Sequence, residues 1–158
     1  VDKTVSTMYI IFSKKWAATK EVAMNEDKVI SLMNRAIELE YQAFIQYFYQ
    51  SLKLKGYTTL AMSQFLAAEA DIELGHAKLL ADMVVNMGGE PSARIEPVVL
   101  GDNPEEMIRN NIGREEKAIE IYRQLLPLLQ DNEYMYDTIN NILLAEVKDL
   151  DEFTALLP

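Results

Sequence analysis

The chain's single histidine stands three residues after a glutamate, in Ala67-Ala68-Glu69-Ala70-Asp71-Ile72-Glu73-Leu74-Gly75-His76. A carboxylate and an imidazole at this spacing share one face of a helix and can reach a common point. Around them Met62, Leu66, Glu69, Glu73, His76, Leu80, Met83 and Met87 recur in alternating steps of four and three residues. That period turns one stripe of a helix toward a core or a partner helix. Glu73 and His76 therefore occupy places where apolar side chains are expected. Burying them is costly without compensation, and a metal ion held by both supplies it.

Three further stripes show the same interruption. They run Met33, Ile37, Glu40, Phe44, Tyr47, Ser51; then Ile108, Ile112, Glu115, Ile119, Tyr122, Leu126; then Met135, Ile139, Ile142, Glu146, Asp149, Phe153, Leu156. Each is apolar except at one level, where Glu40, Glu115, or Glu146 with Asp149 breaks it. The competing explanation is a buried ion-pair network. No Lys or Arg falls on these stripes, and Arg114, Glu116 and Lys117 read as a solvated helix face. Unpaired carboxylates at one level would hold one another's pKa values high. The expectation is a metal centre.

The elements that must position these residues follow from punctuation. Asn25, with Glu26 and Asp27 behind it, reads as an N-cap opening a helix to Leu54, stopped at Lys55-Gly56. Thr58 or Thr59 caps a second helix that runs to Met87 and ends at Gly88-Gly89, with Pro91 beyond. Residues 88–103 lack a helical period and are long enough to cross the length of a bundle. Asn103-Pro104-Glu105-Glu106 opens a third helix, which Pro127 kinks or ends; Asp131 or Asn132 caps a fourth. The expected fold is all-α: a four-helix bundle over residues 24–158 with a long crossover between its second and third helices. Residues 1–23 are expected to form a short ordered N-terminal arm, strand-like or irregular, covering the bundle or a neighbouring subunit and anchored by Trp16. Val1 in place of an initiator Met points to processing or truncation.

Composition narrows the function classes. The 158 residues are 49% hydrophobic and 25% charged, ample for one domain with a full core. A net charge of -10 disfavours nucleic acid as a partner. No apolar run is long enough to span a bilayer. The absence of cysteine excludes disulfides, thiolate metal sites and a cysteine nucleophile, and fits a reducing, cytoplasmic compartment.

The order Glu, Glu-x-x-His, Glu, Glu-x-x-Asp on four successive helices resembles the ferritin-like superfamily, and bacterioferritins most closely. The likeness extends to Glu40-Tyr41-Gln42-Ala43-Phe44-Ile45-Gln46-Tyr47-Phe48, to Ala77-Lys78-Leu79-Leu80-Ala81 with Gly88-Gly89-Glu90-Pro91, and to Met107-Ile108-Arg109 ahead of Glu115. The resemblance implies two iron ions per chain, with manganese as the alternative metal. Glu40 and His76 would bind one ion, Glu115 the second, and Glu73 and Glu146 would bridge. Asp149 takes the place of the family's second histidine and would be a ligand, a hydrogen-bond acceptor behind the ligands, or a cap on a one-metal site. Leu74 stands where bacterioferritins carry a haem-ligating methionine, so no haem is expected. Ala118 stands where rubrerythrins add a glutamate, which disfavours a rubrerythrin-style peroxidase. Only nine residues follow Asp149, too few for the fifth helix of many ferritin cages.

The expected function is oxidation of Fe(II) by O2 or H2O2, serving iron storage or detoxification in a homo-oligomer, at least a dimer, with a cage left open. Tyr47, on the face of Glu40, is either a core tyrosine or a hydrogen-bonding or electron-donating neighbour of the metal. Glu69 is either an acid on the access path or a helix-surface residue. Two alternatives stay open: a dinuclear iron or manganese oxidoreductase or peroxidase without storage, and a non-catalytic metal-binding bundle.

Overall fold

In the computed structural model the backbone is described over residues 3–157 and side chains over residues 25–157. Among these residues there are four α-helices and no strand: α1 (Lys3–Lys53), α2 (Leu60–Asn86), α3 (Pro104–Leu125) and α4 (Glu133–Ala155). Short 3-10 turns precede α2 (Tyr57–Thr59) and follow α3 (Leu126–Leu128). The crossover expected between the second and third helices joins α2 to α3. The all-α bundle read from the sequence is the observed fold.

The N-terminal expectation needs correction. There is no strand-like or irregular arm from residue 3 onward, because α1 is one helix of 51 residues, about 77 Å at 1.5 Å per residue. Asn25 lies inside it and cannot be its N-cap. Residues 3–24 hold no Gly or Pro and include four Lys and three Ala, so nothing breaks the helix, and an interior Asn costs well under about 1 kcal/mol. What Trp16 packs against lies outside the described side chains.

The helix ends otherwise follow their sequence signals. At α3, Asn103 Oδ1 accepts from the Glu106 amide at 3.0 Å, and Pro104 takes the first helical position, where no N–H is needed. Asn132, rather than Asp131, caps α4 through the Met135 amide at 3.1 Å. Thr59 holds the cap position of α2 without a capping bond; its hydroxyl donates to the Lys55 and Gly56 carbonyls. At the other end of α2 the Gly89 and Gly88 amides donate to the Val84 and Val85 carbonyls, and Gly88 adopts φ 77°, the paired closure that favours glycine. Pro127 finishes α3 rather than kinking it, since regular helix stops at Leu125.

The crossover is fastened to α1 by a polar ladder at four-residue spacing: Asn34, Glu38, Gln42, Gln46 and Gln50. Asn34 bonds both the Glu90 carbonyl and the Ser92 amide. Glu38 accepts from the Ser92 hydroxyl and Arg94. Gln42 donates to the Pro97 carbonyl, Gln46 accepts from the Val99 amide, and Gln50 donates to the Leu100 carbonyl. The amides of Asn34, Gln42, Gln46 and Gln50 thus take backbone groups of a strandless segment that would otherwise lack partners, while the Glu38 carboxylate takes its side chains.

Two apolar clusters fill the bundle. One contains Met33, Ile37, Leu80, Ile119, Leu125 and Ile139. The other contains Ala43, Tyr47, Leu66, Ala70, Met107 and Phe153, with Phe65 and Tyr47 against the Phe153 ring. Between them lies one polar level.

Candidate metal centre

That level is built by all four helices. Glu40 comes from α1, Glu73 and His76 from α2, Glu115 from α3 and Glu146 from α4, and the four glutamates are fully buried. Their helical stripes face inward because the residues one turn to either side are core: Ile37 and Ala43, Ala70 and Leu80, Ile119, Ile142. His76 Nδ1 lies 3.1 Å from Glu73 Oε2, 3.0 Å from Glu146 Oε1 and 3.9 Å from Glu40 Oε2. Glu40, Glu73, His76 and Glu146 can each offer one donor atom, all within 4.8 Å of one another.

The centre also holds a residue that the stripes did not disclose. Arg114, read from the sequence as part of a solvated face, is 2% exposed and reaches the middle of the level. Its Nη1 lies 3.1 Å from Glu73 Oε1, 2.5 Å from Glu115 Oε2 and 2.7 Å from Glu146 Oε2; its Nη2 lies 2.7 Å from Glu40 Oε2. The premise that no basic residue meets these carboxylates is therefore wrong. The reason is geometric. The buried face of α3 is wider than one stripe and includes Met107, Asn111, Arg114, Ala118 and Leu125 beside the stripe of Glu115.

Tyrosines close the level from both sides. The Tyr47 hydroxyl donates to Glu115 Oε1, and the Tyr122 hydroxyl donates to Glu40 Oε1. Burial, with Glu115 beside Tyr47 and Glu40 beside Tyr122, pushes both phenols well above their ordinary range, so they stay protonated donors. Tyr122 was visible in the sequence only as a core residue.

Asp149 is placed apart. It is buried at 3% exposure, but its carboxylate groups with Glu69 and Glu152, not with the histidine-side donors. Glu69 is likewise buried, at 6%, which decides against a helix-surface role for it. Its Oε2 makes no hydrogen bond. Burial, reinforced by Asp149, pushes Glu69 up to about 7, and burial beside Glu146 raises Asp149 as well. Leu74, the position considered for a haem ligand, is on the half-exposed face of α2 and offers no donor.

The electrostatics of the core level are those of too many carboxylates for the charge at hand. Burial drives Glu73 and Glu115 well above the ordinary range, and Arg114 offsets this only in part. Glu146 escapes: against its burial, Arg114 and His76 hold it at about 2. Burial opposes a charged His76, but the hydrogen bond to Glu146 and the charge of Glu40 raise it. Divalent cations would relieve this excess directly. The donors fit such an ion on the histidine side. Imidazole with hard carboxylate oxygens suits iron or manganese, and Glu146 Oε1 is buried with only His76 Nδ1 beside it, at 3.0 Å, among the described residues.

Comparison with known proteins agrees with this architecture. The family model described as Ferritin-like domain matches residues 30–158. The chain is 26% identical over 98 residues to a bacterioferritin of Rhodobacter capsulatus, covering 61% of each. It is 33% identical over 107 residues to a bacterioferritin of Desulfovibrio desulfuricans, covering 66% of this chain and 59% of that protein. The matched stretches thus span about three-fifths of these relatives. Among solved structures, a ferritin-like, diiron-carboxylate protein from Bacillus anthracis superposes with a TM-score of 0.81 at 21% identity, over 85% of this chain and 98% of that one. The Desulfovibrio desulfuricans bacterioferritin, whose diiron site was captured in different catalytic states, superposes with a TM-score of 0.76 at 24% identity, over 84% and 79%. At these identities the likeness to solved structures speaks for the fold.

Proposed function

Because the chain belongs to the ferritin-like domain family, we propose that it takes up Fe(II) at the four-helix polar level and oxidises it with O2 or H2O2. The observation that carries this reading is the convergence of Glu40, Glu73, His76 and Glu146 on one point inside a buried core. Fe(II) is the substrate, and bound there it supplies the electrons that the oxidant accepts. The side chains do the rest. His76 and the carboxylates fix the position of the ion, and carboxylate oxygens tolerate both iron oxidation states. Tyr47 holds Glu115 and Tyr122 holds Glu40 through their hydroxyls, which keeps those donors aimed inward. A role for Tyr47 as an electron donor belongs to the same proposal, as does Asp149 as an additional ligand.

A pair of iron ions is the full occupancy the diiron relatives suggest, with Glu115 completing the second position. Manganese shares the preference for these donors. Storage would further require a hollow homo-oligomer, and a dimer would suffice for oxidation alone. No helix among the described residues is long and apolar enough to cross a membrane. The absence of cysteine fits a reducing compartment, and the cytoplasm is the proposed one.

The test is anaerobic titration of the apoprotein with Fe(II), then addition of O2 or H2O2, followed by near-ultraviolet absorbance of Fe(III). Saturable binding and a rapid rise in absorbance are expected, and both should be lost in Glu73→Ala. Iron binding without oxidation would favour a second reading, a metal-binding bundle without turnover; the guanidinium already seated among the carboxylates supports that alternative.

A further inference from the structure

We propose that the Arg114 guanidinium holds the place of one metal ion of a pair, so that the centre fills in two unequal steps. The first ion enters on the histidine side while Arg114 stays; the second enters only when Arg114 swings away. This rests on reading the polar level as a metal centre.

The geometry divides two carboxylates between two cation positions. Glu73 turns Oε2 toward His76 Nδ1 and Oε1 toward Arg114 Nη1. Glu146 does the same, with Oε1 3.0 Å from His76 Nδ1 and Oε2 2.7 Å from Arg114 Nη1. Each therefore spans a histidine side and an arginine side. On the arginine side one nitrogen, Nη1, gathers three oxygens from three helices, from Glu73, Glu115 and Glu146, at 2.5–3.1 Å. A single point of positive charge ringed by three carboxylate oxygens is what a divalent ion would meet there. Among the described residues Glu115 has no other cation within reach, and Tyr47 holds its second oxygen.

Two further observations set the order of filling. Asp149, proposed above as an additional ligand, is grouped with Glu69 and Glu152 and must turn from them before it can serve the second ion. The arginine side is thus short of a donor, and the histidine side fills first. Arg114 is also incompletely satisfied, because its Nε is buried without a hydrogen-bond partner. A guanidinium seated permanently would normally use that donor as well. The hold on Arg114 is strong through Nη1 and Nη2 yet not complete, as suits a cation that can be displaced.

Occupancy and charge together require displacement, since Nη1 already fills the point between the Glu73, Glu115 and Glu146 oxygens. A guanidinium does not lose its proton in a protein, so it cannot yield its place by titrating. Two divalent ions with Arg114 in place would set five positive charges against four glutamates in a low-dielectric core. With Arg114 outside, the two ions match the four carboxylates. One ion with Arg114 inside leaves three positive charges against four, close to balance.

The experiment is calorimetric and equilibrium-dialysis titration of the full chain with Mn(II), comparing wild type with Arg114→Gln and Arg114→Lys, with folding checked by circular dichroism. Wild type should bind one ion tightly and a second at least ten times more weakly. Arg114→Gln, which also frees Glu40 Oε2 from Nη2, should tighten both steps, the second at least tenfold more than the first. Arg114→Lys, which keeps the charge, should stay close to wild type. Two equal steps in wild type, or a second step unmoved by Arg114→Gln, would overturn the proposal while leaving the metal centre standing. Absence of binding in wild type and in Arg114→Gln would overturn both. If Arg114→Gln does not fold, the wild-type isotherm alone decides, since two equal steps are incompatible with a resident cation.

Discussion

Asn111→Ala is expected to destabilise the apoprotein by about 3 kcal/mol and to loosen the crossover selectively. Asn111 lies on α3, fully buried, between two equally buried glutamines of α1. Gln46 Nε2 donates to its Oδ1 at 2.8 Å, and its Nδ2 donates to Gln50 Oε1 at 2.8 Å. The outer ends of the glutamines hold the neighbouring Val99 amide and Leu100 carbonyl, at 3.0 and 3.2 Å. The three amides form a ring that clasps two successive residues of the crossover, and only one orientation of each amide satisfies every bond. Truncation removes the middle link and leaves one donor and one acceptor without partners, each costing about 1–3 kcal/mol. Two such groups give roughly 2–6 kcal/mol, a large share of the ~5–15 kcal/mol typical of a domain. The melting temperature should fall by roughly 6–12 °C. Urea unfolding of metal-free protein measures the loss, and hydrogen exchange of the Val99 amide reads the loosening. A loss below about 1 kcal/mol, or exchange at Val99 unchanged relative to the α4 amides, would refute the idea that this ring fastens the crossover.

Other perturbations probe separate features. Gly101 has φ 75°, and a Cβ there would lie 2.8 Å from the Met107 amide nitrogen, so Gly101→Ala should cost about 2 kcal/mol or more, read by thermal melting. Glu69 is raised from 4.5 to about 7 by burial and Asp149. The folded chain then holds this proton more tightly than the unfolded chain, so its contribution to stability is present below about pH 4.5 and lost as pH rises through 7. Glu69→Gln should flatten the fall in apoprotein stability between those limits, by roughly 2 kcal/mol after allowance for solvent screening; an unchanged slope in chelator-treated samples would count against it. Tyr47→Phe removes the hydroxyl that donates to Glu115. It should leave the first metal-binding step intact while slowing Fe(II) oxidation in stopped-flow absorbance.

The bundle was legible because its signals were redundant. Four apolar stripes, the Asn103-Pro104 and Asn132 caps, the Gly88-Gly89 stop and one long aperiodic segment all point to the same arrangement. The same stripes brought Glu40, Glu73, His76, Glu115 and Glu146 to one level. What they could not carry was anything off the stripe. Arg114 sits one residue before Glu115, and a two-position heptad reading assigns such a neighbour to solvent. Its companions Met107, Asn111, Ala118 and Leu125 recur at helical spacing and mark a second buried row on α3; that was the available signal. The amide ladder on α1 escaped for a similar reason, because Asn34, Glu38, Gln42, Gln46 and Gln50 resemble an exposed polar face until the crossover covers them. Asn25 misled in the opposite direction, since a good cap residue has no authority when nothing upstream breaks the helix.

The layered interior has a mechanical consequence. Two oily blocks are stacked along the bundle axis and separated by a level of buried carboxyl groups around Arg114. Without ions that level acts as a seam under tension, spanned by the helices, the Arg114 spoke and the hydroxyls of Tyr47 and Tyr122. The blocks should then breathe with some independence, showing distinct exchange rates at their two ends. Cations placed in the seam would weld the blocks together and make the whole rod melt as one piece.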